Sequence, residues 1–482
     1  MSGSMERFLA SHRFGFGMAG DGRAPVEGRA HLEAQLAQPQ LAIMRGQHLT
    51  AGDGLVRYTD VKRERLQAAL AATARARQQE GGGMQQAQAG GEMQQGQAEG
   101  DMQQGQAGGA QPGMQRRPGP HQLILMPEMD ARVQQALAGE ADFLERLVVF
   151  WANHFTISVK GGRLLSIAGP YEREAIRANV AGRFRDMLLA VTRHPAMLQY
   201  LDNARSIGPN SRIGRRRDQG INENHAREIL ELHTLGVDGG YTQADVTNFA
   251  LALTGWDFVG PRGDQPGAFR FNPNRHEPGP RQVMGKVYAQ EGEDQAAAIL
   301  EDLARHPATA RHIARKLAAH FVADTPPPSL VAKLEQSFRR SGGDLGEIAR
   351  TLVRAEESWT PQLTKLRTPY EFMIAAVRTS GDQPSPRRMN QMLTNLGQGV
   401  WQAPSPAGYP DRSEDWLAPD AIKTRTDFAI EFASGYTGDA ADLARQVLGP
   451  ALTDETLTAI RRAESSRQGL AILLMSPEFQ RR

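Results

Sequence analysis

Twelve histidines and no cysteine set the terms of any chemistry this chain can do. Without a thiol there is no thiolate nucleophile, no disulfide, no iron–sulfur cluster and no cysteine zinc site. Proton transfer and metal binding therefore fall to imidazole, carboxylate and amide groups. His154 belongs to the run Leu144, Leu147, Val148, Trp151, His154, Phe155, whose spacing traces one stripe of an amphipathic helix. His233 sits in the same way among Ala226, Ile229, Leu230 and Leu232. Burial holds an imidazole neutral, the form that serves as general base or metal ligand. A lone His on an apolar face is more often a hydrogen-bonded core residue than a ligand; the functional alternative is that the two stripes pack together and the two rings meet in a water-poor hollow. His276, in Asn274-Arg-His-Glu-Pro-Gly279, falls on a loop, where positioned side chains often carry function. Its plainer reading is a surface ring bonded to a turn carbonyl.

Arg212, Arg215, Arg216 and Arg217 concentrate positive charge in a glycine-containing loop from Ser206 to Gly220 that runs into a helix N-terminus. Such an arrangement suits an anion, with Asn203 and Asn222 flanking it. It also suits a solvated loop or an acidic partner. Along the helix that follows, about 100° per residue sets Glu231 and His233 about 160° apart, so the pair cannot chelate one ion from an undistorted helix. Asn224, Glu228 and Glu231 share the polar half. They read either as a solvated face or, if other helices cover them, as an oxygen-rich site for a divalent ion or a sugar. No Walker loop, G-x-S-x-G elbow, H-E-x-x-H or E-x-x-H pair occurs, and no haem, nucleotide or iron–sulfur cluster is expected. A net charge of +2 is too balanced for the basic field of a nucleic-acid binder.

The elements that must position these groups are helical. Ile176, Val180, Phe184, Met187, Leu188 and Val191 trace a second stripe, ended by Pro195. Asn222 to Leu235 reads as a third helix with Asn222 as N-cap and Gly236 beyond its end. Thr242-Gln-Ala-Asp245 is a capping box opening a fourth, which stops at Gly255. Further helices are predicted over 308–322, 329–339, 344–356, 367–380, 386–396, 420–435, 438–448, 453–464 and 467–475. Strand signals are confined to Thr156–Val159 and the pair Phe269/Phe271, and 256–292 reads as a long irregular excursion. With 482 residues, 40% of them hydrophobic, the chain can bury a large core. The expected fold is all-α or helix-dominated, a bundle-like single large domain. Its parts are 1–78 (N-terminal helical part), 79–119 (insert), 120–400 (main core with the candidate site) and 401–482 (C-terminal helical part). The insert repeats every nine residues at Met84, Met93 and Met102 among Gln, Gly and Ala, too few apolar side chains to offset ordering, so disorder is expected. No apolar leader and no run of about 18 apolar residues occurs, so the chain as written is expected to be cytoplasmic with no membrane span.

Several strings resemble a known bacterial family: Arg13-Phe-Gly-Phe-Gly17, Phe150-Trp-Ala-Asn-His-Phe155, Gly220-Ile-Asn-Glu-Asn-His-Ala-Arg-Glu-Ile-Leu-Glu-Leu-His-Thr-Leu-Gly236 and Leu253-Thr-Gly-Trp256. They are similar to the family called domain of unknown function 1800, from about residue 5 to 480. The resemblance implies a helical protein, often exported, often encoded beside a family like alkaline phosphatases and sulfatases, which is thereby a candidate partner. No reaction comes with it. Together the readings give two expectations. One is a His-dependent hydrolase or transferase, compatible with a divalent ion, acting on a glycan, phosphate or sulfate ester. It would use His154, His233 and His276 around one cavity, with Arg215–Arg217 supplying anion affinity. The other is a non-catalytic helical scaffold that binds an envelope polymer or the phosphatase-like partner, with each imidazole held by its own backbone group.

Overall fold

The computed structural model describes residues 2–20, 28–87, 118–216, 220–382 and 384–482, with side chains of the second segment described to Arg75. Helix accounts for 64% and strand for 4%, with 21 α-helices, so the architecture is helix-dominated as the periodicity requires. Local chemistry explains where the helices start. Thr242 and Thr368 each form a full capping box, with Asp245 and Glu371 respectively, and Asp344, Ser385, Asp439, Thr453 and Ser465 cap through one side-chain oxygen. Proline occupies the first turn of Pro307–Phe321, Pro328–Ser341, Pro369–Ser380, Pro386–Asn395 and Pro419–Phe432, where its missing N–H costs nothing.

The apolar stripes close into two buried clusters. One gathers the Asp142–His154 helix, Phe184–Arg193, Gln243–Leu253 and the helices from Glu293 to Arg354. The other is centred on Pro369–Ser380 and joined by Met126–Ala138, Pro419–Phe432, Ala440–Leu448 and Ser466–Met475. Adjacent residues of Asp142–His154 send charges into separate interior networks. Glu145 meets Arg177 at 2.6 Å, and Arg146 meets Glu371 at 2.9 Å.

Three expectations are corrected. The second stripe is not one helix: a π turn, a 3-10 turn and then Phe184–Arg193 replace it, broken near Gly182, whose carbonyl accepts from the Leu345 N–H at 2.8 Å. Thr156–Val159 is no strand and makes only a bridge from Ser158 to Gln402. The 256–292 excursion is more ordered than its composition suggests. Trp256–Phe258 pairs antiparallel with Phe269–Phe271, and Arg281–Val283 with Lys286–Tyr288. The second ribbon turns through Met284 and Gly285, both at positive φ (51° and 76°), the backbone a two-residue hairpin needs. The helix Ala51–Ala87 reaches the first copy of the repeat, and 88–117 lies outside the described residues, in keeping with the expected insert. Among the described residues no helix is long and apolar enough to cross a membrane.

Candidate functional site

His154 and His233 meet. Their ring centroids lie 6.2 Å apart, and His312 joins them 6.0 Å from His154. The segment that carries His233 is α-helical only over Asn224–Glu228 and continues as a π helix over Ile229–Thr234. A helix leaves its last carbonyls unpaired. Two of them, Leu232 O and His233 O, accept from imidazole: His312 Nε2 at 3.1 Å and His154 Nε2 at 3.1 Å. A carbonyl only accepts, so both Nε2 atoms carry the proton and donate it. Gly236, at φ 86°, makes this possible, since a Cβ there would come within 2.9 Å of His312 Nδ1. His154 therefore caps a buried helix end.

Burial depresses all of these imidazoles. His154 is held well below its ordinary range, first by burial and then by Lys316. His233 is lowered to about 3 by burial, with His225 next, and His312 to about 4 by burial and Lys316. His225 is the member that sequence reasoning missed. It is fully buried, neither ring nitrogen has a partner, and burial alone lowers it to about 3. The signal was available, because four residues before the apolar Ile229 it falls within about 60° of the stripe's centre. With His154 and His233 at most 2% exposed, no substrate reaches the rings from solvent.

The other expected members lie elsewhere. His276 bonds Thr254 O at 2.9 Å through Nδ1 and packs on Phe271 at 5.2 Å, because the Trp256–Phe271 ribbon folds its loop back onto Thr254. Its contacts are thus distinct from those of the His154–His233–His312 cluster. Asn203 is fully buried, its Nδ2 donating to Leu253 O and Trp256 O, both at 3.2 Å, so it clamps these two carbonyls, while its Oδ1 has no partner. Asn222 Oδ1 accepts from the Asn224 N–H at 2.9 Å, which starts the helix two residues later than expected. Arg215 and Arg216 are exposed on a single 3-10 turn, and Arg217 lies outside the described residues. Asn224 is exposed, and Glu231 accepts from the Tyr241 hydroxyl at 3.0 Å. Glu228 is half-buried and raised by burial and by Glu231. Asn224 is thus open to solvent, while Glu228 and Glu231 are only partly covered. Among the described residues no group of three or more His, Asp or Glu is placed to hold a metal ion.

What the fold does assemble is a cleft of about 480 Å³ lined by Arg163, Asp202, Arg205, Asp257, Arg270 and Arg275. Four guanidinium groups face two carboxylates. Arg270 pairs with Asp257 at 2.6 Å and Arg205 with Asp202 at 3.3 Å. Arg275 donates to Ala204 O at 2.7 Å while its Nε stays buried and unpartnered. Asp202 sits at φ 55°, a left-handed backbone that costs a non-glycine residue energy and recurs at functional sites. Asn203, beside it, ties this wall to the start of the ribbon. The lining comes from four separated stretches of chain, so no local motif announced it.

No curated protein and no solved structure matches the chain. One family model does, described as Protein of unknown function (DUF1800), over residues 10–481. With nearly the whole chain inside that match, the protein belongs to the DUF1800 family.

Proposed function

We propose that the chain is a binding protein for an anionic glycan, whose sulfate, phosphate or carboxylate groups seat in the cleft of Arg163, Arg205, Arg270 and Arg275. The observation that carries this reading is the excess of guanidinium over carboxylate in an open cleft of about 480 Å³. Guanidinium forks match the planar oxygens of such groups. The cleft also falls within the 300–1,000 Å³ typical of ligand sites. An alkaline-phosphatase-like or sulfatase-like partner, implied by the family resemblance, fits the same reading, since those enzymes act on the ester groups the cleft would hold.

Dextran sulfate and uncharged dextran provide the test. Dextran sulfate is expected to bind with an affinity that falls as salt rises, and dextran to show no binding. Arg163→Ala with Arg275→Ala should weaken binding by about tenfold or more, as loss of charge-assisted hydrogen bonds does. Equal affinity for the two polymers would overturn the proposal. Ester hydrolysis by the imidazoles is a second reading, favoured by the meeting of His154 and His233 and by their neutral state. It requires an opening movement that admits substrate, with any divalent ion brought by that substrate. Its test is turnover of a sulfate or phosphate ester that disappears in His233→Ala.

A further inference from the structure

A second recess, with apolar and polar groups together in its lining, lies where the Asp142–His154 helix meets the turn at 398–409. It is lined by Arg132, Asn153, Tyr370, Gln398, Trp401 and Tyr409. Its construction is costly in two places and tight in a third. Trp401 takes the left-handed backbone, φ 52°. Gly408 lies so close to Asn153 that a Cβ would come within 2.6 Å of its carbonyl oxygen. Tyr370, only 3% exposed, keeps a buried hydroxyl with no hydrogen-bond partner. Strained backbone and unpaired buried polar groups are both unfavourable and are over-represented where ligands bind.

The rest of the lining is firmly held. Asn153 Nδ2 donates to Tyr409 O at 2.9 Å, and its Oδ1 accepts from the Tyr409 N–H at 2.8 Å. The Tyr409 hydroxyl donates to Gly399 O at 2.7 Å. Gln398 Oε1 accepts from the Tyr370 N–H at 2.8 Å, which points the amide of Gln398 with its Nε2 still free to donate. Below, the buried Arg132 lies 4.5 Å over the Tyr370 ring and donates through Nε to Glu172 at 2.6 Å. The same Glu172 oxygen accepts from Trp401 Nε1 at 3.2 Å. Aromatic faces beside fixed amide and hydroxyl groups are what a sugar ring needs, since a pyranose offers a C–H face and a rim of hydroxyls. The free volume is about 50 Å³. At 10–15 Å³ per water that admits about three to five waters. It is too small for a cofactor and suits one hydroxyl-bearing edge of a single ring.

We propose that this recess is a carbohydrate subsite, separate from the arginine cleft, that takes one edge of a neutral pyranose against Trp401, Tyr409 and Tyr370. Saturation-transfer NMR on the full chain tests it, with methyl glucoside, methyl galactoside, methyl mannoside and N-acetylglucosamine as probes. At least one is expected to show transfer to its ring protons. Tyr370→Phe removes the unpartnered hydroxyl, so the variant should melt at or above the wild-type temperature yet bind that sugar about tenfold more weakly. Trp401→Gly keeps the left-handed backbone, removes the platform and should abolish transfer. Arg163→Ala should leave transfer unchanged, which separates this site from the arginine cleft. Absence of transfer from all four probes, or equal affinity in Tyr370→Phe, would overturn the proposal.

Discussion

His225 shows how burial and bonding part company at a single residue. A buried nitrogen without a partner costs about 1–3 kcal/mol, whereas an apolar group of similar size in its place can be neutral or stabilising. His225→Leu is therefore expected to leave the melting temperature unchanged or raise it; a clear drop on thermal melting would mean the ring has a partner in solution. His154 predicts the opposite. Its ring donates to His233 O and packs between Phe150 and Phe155, so His154→Ala removes both a helix-end donor and buried volume. A loss of about 2–4 kcal/mol in chemical unfolding is expected. The apolar stripes made the burial of His154 and its meeting with His233 legible in the sequence. The bond to a backbone carbonyl was not, because which nitrogen faces which carbonyl depends on the approach of helices distant along the chain.

At the scale of elements, caps and prolines made most helix starts readable, and the C-terminal helices fall within a few residues of their predicted bounds. Two departures have physical causes. The 229–234 segment widens to a π helix, which no 100° wheel can express, and Thr234 uses it by donating its hydroxyl to Ile229 O at 2.6 Å. At the start of the 256–292 excursion Asn203, from another segment, holds Leu253 and Trp256, a contact that no local pattern announces. Asn203→Ala should leave both carbonyls unpaired and lower stability by about 1–3 kcal/mol. It should also weaken dextran sulfate binding, because Asp202 and Arg205 adjoin it in the cleft. A variant that melts lower but binds as wild type would detach the clamp from the cleft.

For the molecule as a whole, charge in the interior decides how it responds to acid. Glu371, fully buried, joins Arg146 and Arg482, each at 2.9 Å, and ties the two hydrophobic clusters together. Breaking such a pair leaves an uncompensated charge, and Glu371→Gln is expected to cost about 3–5 kcal/mol in denaturant unfolding. The imidazoles act at milder pH. Burial lowers His225 and His233 to about 3 and His312 and His320 to about 4. In the unfolded chain the same rings titrate near pH ~6.5. Between those limits the unfolded state binds more protons, so stability falls as pH drops. Each ring contributes a slope of up to about 1.4 kcal/mol per pH unit. Unfolding free energy should accordingly begin to decline near pH ~7, above the range where carboxylates titrate. His225→Leu should make that decline shallower by about one ring's share without moving its onset. Denaturant titrations at stepped pH read both quantities, and a flat stability from pH ~6.5 to ~5 would show that the buried imidazoles are already protonated in the folded protein.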